Sequence, residues 1–220
     1  MENFSEPMGF LIDNTKCMGC RACQTACKQW NNLPAEKTVF FGGPGYQNPK
    51  DLSDSTFTLI KFREVIENNK IKDWGYWKKQ CQHCIDPSCK AACTAKAIEK
   101  IAYGPVIWDE AKCITGCSLC KDACPFNIPR FGDNHSTKIR KCTMCYDRIE
   151  QGIEPACSKA CPTDATIFGE LKDLLAIAEK RISSKPEVYH QYIYGKEEVG
   201  GTSVLYISGF PLEDIGYPDK

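Results

Sequence analysis

The sequence has no surplus of charge. Its 28 Lys and Arg stand against 28 Asp and Glu over 220 residues. A duplex nucleic-acid binder draws its affinity from uncompensated basic charge, so that class is set aside. No run approaches the roughly 18 to 20 apolar residues that span a bilayer. The opening "MENFSEPMGFLIDNTK" has neither a basic segment leading into an apolar one nor a twin-arginine pair, and the close "PLEDIGYPDK" is not a membrane helix. The expectation is a chain that is soluble, or peripheral to a membrane through its partners, on either the cytoplasmic or the periplasmic side. No dinucleotide fingerprint and no nucleophile–base pattern is present. The apolar fraction of 42% counts the cysteines, so the aliphatic core is thin.

Cysteine is what the chain has in quantity, with 16 residues. Without a secretory signal a disulfide framework has little support, and the spacing points elsewhere. The cysteines form four groups: Cys17, Cys20, Cys23 and Cys27; Cys81, Cys84, Cys89 and Cys93; Cys113, Cys117, Cys120 and Cys124; Cys142, Cys145, Cys157 and Cys161. Each group closes with C-x3-C, and Cys124 and Cys161 are followed by Pro125 and Pro162. Self-similarity of this kind marks a repeated unit.

The first group has the C-x2-C-x2-C-x3-C spacing of bacterial ferredoxins, with Lys28 where proline is usual. In that arrangement three thiolates on a tight loop cap one cluster and the fourth ligates its neighbour. Structural zinc sites instead pair two C-x2-C knuckles from separated segments. The fourth group alone would pass for one; the first and third, with three cysteines on one loop, would not. Sixteen ligands in four groups with no remainder imply four [4Fe–4S] clusters. A zinc-binding interaction module is the competing reading.

The order of the groups, and "KCTMCYDRIEQGIEPACSKACPTDATIFGE" above all, resembles the four-cluster electron-transfer (beta) subunits of the molybdenum and tungsten bis-pterin oxidoreductases. "GFLIDNTKCMGCRACQTACKQWNNLP" is most similar to formate dehydrogenase beta subunits. The tail "YIYGKEEVGGTSVLYISGFPLEDIGYP" is similar to those subunits and to hydrogenase iron–sulfur subunits. The resemblance implies that the first group pairs with the fourth and the second with the third. Cluster A would take Cys17, Cys20, Cys23 and Cys161, and cluster B Cys142, Cys145, Cys157 and Cys27. Cluster C would take Cys81, Cys84, Cys89 and Cys124, and cluster D Cys113, Cys117, Cys120 and Cys93. The implied fold is α+β, with two nested ferredoxin-like units: an outer one from 1–36 and 125–169 and an inner one from 81–124. A loop and β-ribbon insertion (37–80) and a C-terminal helix and strand extension (170–220) complete it.

The resemblance also implies partners: a large molybdopterin (molybdenum or tungsten) catalytic subunit, and a membrane cytochrome b-type subunit or other redox protein as acceptor. The chain itself would be non-catalytic and would relay electrons, with formate the expected source. A hydrogenase, or a reductase of the dimethyl sulfoxide or polysulfide type, is the alternative. Two departures bear on the ligand sets. Thr94 follows Cys93 where proline is usual, and three residues separate Cys113 from Cys117 where two are usual, which loosens the cluster D loop.

Around the cysteines, "GFLID" (9–13) and "GPVIWD" (104–109) are predicted strands. "TLIKFREVI" and "IKDWGYWKKQ" are predicted to form a ribbon turning at "ENNK" (67–70). "GGPG" (42–45) reads as turn chemistry, since it lacks the ending of a phosphate loop. "ELKDLLAIAEKRI" (170–182) has helical spacing and stops at "SSKP". Ala97, Ile98, Ala165 and Ile167 are expected to cover cluster faces, core packing being the alternative. His83 is expected to donate a hydrogen bond beside the ligands, while His135 and His190 have no convergent partners. Trp30 would cover cluster B, face a partner or simply pack. Lys138, Arg140 and Lys141 would offset cluster charge or lie on a solvated face.

Overall fold

The computed structural model describes residues 6–38, 47–132 and 137–219. The "GGPG" turn and His135 lie outside the described residues. The centre is a strand, β1 (Met8–Asp13), whose six residues are all buried. β6 (Thr166–Glu170) pairs with it antiparallel and β7 (Val204–Ile207) parallel, giving the order β6-β1-β7. A strand covered on both faces reads as a continuous apolar run, as "MGFLI" does.

One face of this sheet is covered by α6 (Leu171–Ser184), in which Leu174, Ala178 and Ile182 are buried against Leu11, Leu205 and Ile207. The helix is therefore a packing element. Asp13 ends β1 with no exposed surface; its carboxylate accepts from Thr15, from Arg181 at 3.0 Å and from the Tyr189 hydroxyl at 2.9 Å. The sheet and its covering helix are thus tied at one buried charge, whose loss would leave Arg181 unpaired.

The other face carries the cysteines. α1 (Ala22–Trp30) holds Cys23 and Cys27, and it packs on α5 (Ala156–Lys159), which holds Cys157. In the same way α2 (Ser88–Ala91), with Cys89, meets α3 (Leu119–Asp122), with Cys120. The short hairpin β4 (Ile98–Lys100) and β5 (Val106–Trp108) lies between those two cysteine groups in sequence. α4 (Tyr146–Ile149) follows Cys145 directly. The expected ribbon is present as β2 (Leu59–Glu67) and β3 (Lys70–Lys79), an antiparallel pair. Its turn residues Asn68 and Asn69 both have positive φ, 50° and 57°, the conformation a two-residue type I′ hairpin requires.

Candidate metal centres

None of the sixteen cysteines forms a disulfide. Each two-cysteine start of a group is built on the same backbone turn. The residue just before the second cysteine is left-handed in all four: Gly19 (φ 70°), His83 (φ 48°), Gly116 (φ 77°) and Met144 (φ 63°). A left-handed residue within such a turn brings successive backbone N–H groups to one side, forming a concavity that favours an anion. Met144 N–H donates to the Cys142 Sγ at 3.3 Å. The extra residue between Cys113 and Cys117 does not abolish this turn, because Gly116 restores it. His83 fills a loop-geometry position, for which His is among the better non-glycine residues.

The closing cysteines share a second device, an N–H donated back to sulfur from four or five residues further on. Ala97 N–H reaches the Cys93 Sγ at 3.2 Å, Ile128 N–H the Cys124 Sγ at 3.4 Å and Thr166 N–H the Cys161 Sγ at 3.4 Å. For Cys27 the Asn31 side-chain amide does this at 3.6 Å. Left-handed Lys96, Asn127 and Asp164 turn the chain back in the first three cases. Hydrogen bonds to ligand sulfur are one of the protein's means of tuning a metal centre.

Two pockets are walled by cysteines from different groups. One is lined by Cys17, Cys20, Cys23 and Cys161 together with Lys78 and Ala165. The other is lined by Cys93, Cys113, Cys117 and Cys120 together with Ala97, Ile98 and Trp108. Ala97, Ile98 and Ala165 therefore face cysteine pockets, whereas Ile167 packs on the α6 side of the sheet. Elsewhere Cys27 has Cys142, Cys157 and Cys145 as electrostatic neighbours, and Cys84 has Cys81, Cys124 and Cys89. Among the described residues, no three His, Cys, Asp or Glu side chains stand close enough to share a single ion.

Burial dominates the thiol chemistry. It pushes Cys84 and Cys89 up to about 12 and Cys120 up to about 11, and nearby thiolates push the same way. Cys161 moves down despite its burial, because the Thr166 and Thr163 N–H groups donate to it. Raised thiols hold their protons until a metal displaces them. A thiolate-binding metal group larger than one ion therefore fits this donor set: many buried sulfurs, amides turned towards them, and cysteines of different groups lining common pockets without standing close enough to share one ion.

The sequence comparisons point the same way. Residues 72–171 match the 4Fe-4S dicluster domain. The chain is 42% identical to the nitrate-inducible formate dehydrogenase iron–sulfur subunit of Escherichia coli K12, covering 94% of this chain and 70% of that one. The chain belongs to the iron–sulfur subunits of the formate dehydrogenase family. Formate dehydrogenase 2 subunit beta (cytochrome c-553) of Nitratidesulfovibrio vulgaris is 37% identical over 91% of this chain and 93% of that one. The Hydrogenase-2 operon protein HybA of Escherichia coli O157:H7 is 31% identical over 96% and 73%.

In this iron–sulfur subunit, the residues singled out beside the cysteines have distinct places. His83 is fully buried; its Nδ1 accepts from Val106 N–H at 2.9 Å, and its backbone carbonyl accepts from Lys100 at 3.0 Å. Among the described residues its Nε2 has no protein partner. Trp30 is 42% exposed; its Nε1 donates to Asp147 at 2.9 Å and the Arg148 guanidinium lies over its ring, so it ties α1 to α4 beside Cys145. The three basic residues before Cys142 divide. Lys141 is buried and donates to the carbonyls of Val106 and Cys142, whereas Lys138 donates to the Glu110 carbonyl at a partly exposed site and Arg140 pairs with the Glu110 carboxylate at 3.8 Å. Lys28 replaces the usual proline with a different brace, donating to the carbonyls of Pro34 and Ser55 and to Glu36.

Sequence reasoning missed Lys78. It has no exposed surface, although Lys79 beside it reaches Asp51 at 2.9 Å. Burial alone would lower its pKa, but the Cys157 and Cys23 thiolates more than offset that and raise it. The signal that places it is not local: its carbonyl accepts from the hydroxyls of Tyr206 and Tyr217, far along the chain.

Proposed function

We propose that this chain carries four [4Fe–4S] clusters and relays electrons from a molybdenum or tungsten pterin catalytic subunit that oxidises formate to a cytochrome b-type membrane subunit or another redox protein. A [4Fe–4S] group held by four thiolates supplies reversible one-electron storage with no open iron position for substrate. The proposed ligand sets are Cys17, Cys20, Cys23 and Cys161; Cys27, Cys142, Cys145 and Cys157; Cys81, Cys84, Cys89 and Cys124; and Cys93, Cys113, Cys117 and Cys120. The two cysteine-lined pockets support the first and last sets, and the electrostatic neighbours of Cys27 and Cys84 support the other two.

The observation that carries the relay is the electrostatic proximity of the sets. Cys23 neighbours Cys157, Cys142 neighbours Cys81, and Cys89 neighbours Cys120. Those three pairs favour one unbranched order of the sets, which is what a wire needs. The packing of α1 on α5 and of α2 on α3 favours the nested arrangement, an outer unit of 1–36 and 125–169 around an inner one of 81–124, with 37–80 inserted and 170–220 appended. Among the described residues no helix is long and apolar enough to cross a membrane, so membrane contact would go through a partner.

The test is native co-purification with mass spectrometry and an assay of formate-dependent dye reduction. Recovery of a pterin-binding subunit with formate activity is expected; a complex lacking any pterin-binding subunit would contradict the reading. The likeness to the hydrogenase-2 operon protein favours a second reading, in which the same relay serves a hydrogenase. Dye reduction driven by hydrogen and not by formate would select it.

A further inference from the structure

A fully buried ammonium is costly unless something negative lies against it. Lys78 is such a group. Among the described residues its Nζ has no oxygen or nitrogen partner. It lies 5.2 Å from the Phe10 ring centroid and has the sulfurs of Cys157 and Cys23 as its strongest opposite charges. It also forms part of the wall of the pocket lined by Cys17, Cys20, Cys23 and Cys161.

The position is built, not incidental. The Lys78 carbonyl accepts from the Tyr206 hydroxyl at 3.0 Å and the Tyr217 hydroxyl at 3.3 Å, and Gln82 donates to the Tyr206 hydroxyl at 3.1 Å. Tyr194, Tyr206 and Tyr217 pack edge to face around one another. Three rings and two hydrogen bonds thus fix the backbone that carries the charge. By contrast, the lining of the pocket formed by Cys93, Cys113, Cys117 and Cys120 includes no charged side chain among the described residues.

We propose that Lys78 sets reduction potential: its fixed charge raises the potentials of the clusters held by Cys17, Cys20, Cys23 and Cys161 and by Cys27, Cys142, Cys145 and Cys157, keeping both above that of the cluster held by Cys93, Cys113, Cys117 and Cys120. This rests on the cluster reading above. Reduction adds one electron to a centre that its thiolates already make anionic, and a nearby cation in a water-poor interior stabilises that electron. Lys78 gives up no proton and forms no bond; the electron gained at its side is one lost by the reductant. Placed at the seam between two sets, it acts on both.

The test uses Lys78→Met, which keeps the length and removes the charge, and Lys78→Arg, which keeps the charge. The full chain is isolated anaerobically with its partners, iron and acid-labile sulfide are counted, and each cluster is followed by electron paramagnetic resonance during a redox titration. Signals are assigned with Cys161→Ser and Cys93→Ser. Wild-type protein holding zinc in place of iron overturns the cluster reading, and the proposal with it. With clusters present, Lys78→Met is expected to disfavour reduction of two clusters at least tenfold, about 59 mV for one electron, while the other two stay put and Lys78→Arg matches wild type. Unchanged potentials in Lys78→Met, or an equal shift of all four, overturn the proposal while the cluster reading stands. If Lys78→Met loses iron, Lys78→Arg decides: wild-type iron and potentials there support a role for the charge, and any other result overturns it.

Discussion

The two cysteine-lined pockets present the same kind of donor, four cysteines each, yet they differ in what surrounds the sulfurs. The pocket of Cys17, Cys20, Cys23 and Cys161 has Lys78 and Arg21 in its wall, with Cys161 drawing N–H groups from Thr166 and Thr163. The pocket of Cys93, Cys113, Cys117 and Cys120 is walled by Ala97, Ile98, Trp108 and Ile139, and burial pushes Cys120 up to about 11. A repeated loop therefore delivers the same donor set to two different electrostatic settings. On the proposed reading, the thiols decide what binds and the wall decides how readily it takes an electron.

The largest effect expected is from removing a closing cysteine. Cys161→Ser should cost the cluster of Cys17, Cys20 and Cys23, and Cys93→Ser that of Cys113, Cys117 and Cys120, each with about a quarter of the iron. Loss first of the cluster nearest in sequence, in either variant, would break the comparison at its base. Metal analysis and electron paramagnetic resonance together separate the outcomes.

Next come the loop glycines. Gly19→Ala should lower stability by about 2 kcal/mol, since left-handed strain alone costs about 1–2 kcal/mol. The added Cβ would also meet the Tyr76 ring at 2.8 Å. Gly116→Ala should cost about 1–2 kcal/mol through its left-handed backbone, φ 77°. Denaturant unfolding checks both, and unchanged stability in Gly19→Ala would show that neither its left-handed backbone nor the Tyr76 ring resists the added Cβ.

The smallest effect is expected from giving the apolar pocket a cation. Thr94 lines it but is exposed, so Thr94→Lys should raise that cluster's potential by less than the tenfold lost in Lys78→Met, because solvent screens the charge. The difference should shrink further in high salt, as a redox titration at two ionic strengths would reveal. A shift as large as that of Lys78→Met would mean that burial of the lysine contributes nothing.

How far the sequence could be read follows from how local each signal is. The cysteine groups, the Asn68–Asn69 hairpin and the helix after Thr166 are local patterns, and they stand in the structure close to where spacing puts them. The turn before each second cysteine was half legible: Gly19 and Gly116 advertise a left-handed residue, but His83 and Met144 do not. Lys78 was illegible. Strand alternation says that one of two adjacent lysines turns inward, and Asp51 on one side and Tyr206 and Tyr217 on the other decide which. The sheet order β6-β1-β7 was likewise hidden, because it joins segments from both ends of the chain. Ile167 shows the limit in small: its neighbours Ala165 and Thr166 face sulfur, while the strand's alternation sends Ile167 to the α6 side.

The most direct measurement is the iron and acid-labile sulfide content of the anaerobically isolated chain. Four clusters require about sixteen of each per chain. Zinc as the dominant metal, or iron near half that number, would contradict the assignment of all sixteen cysteines to four shared sets.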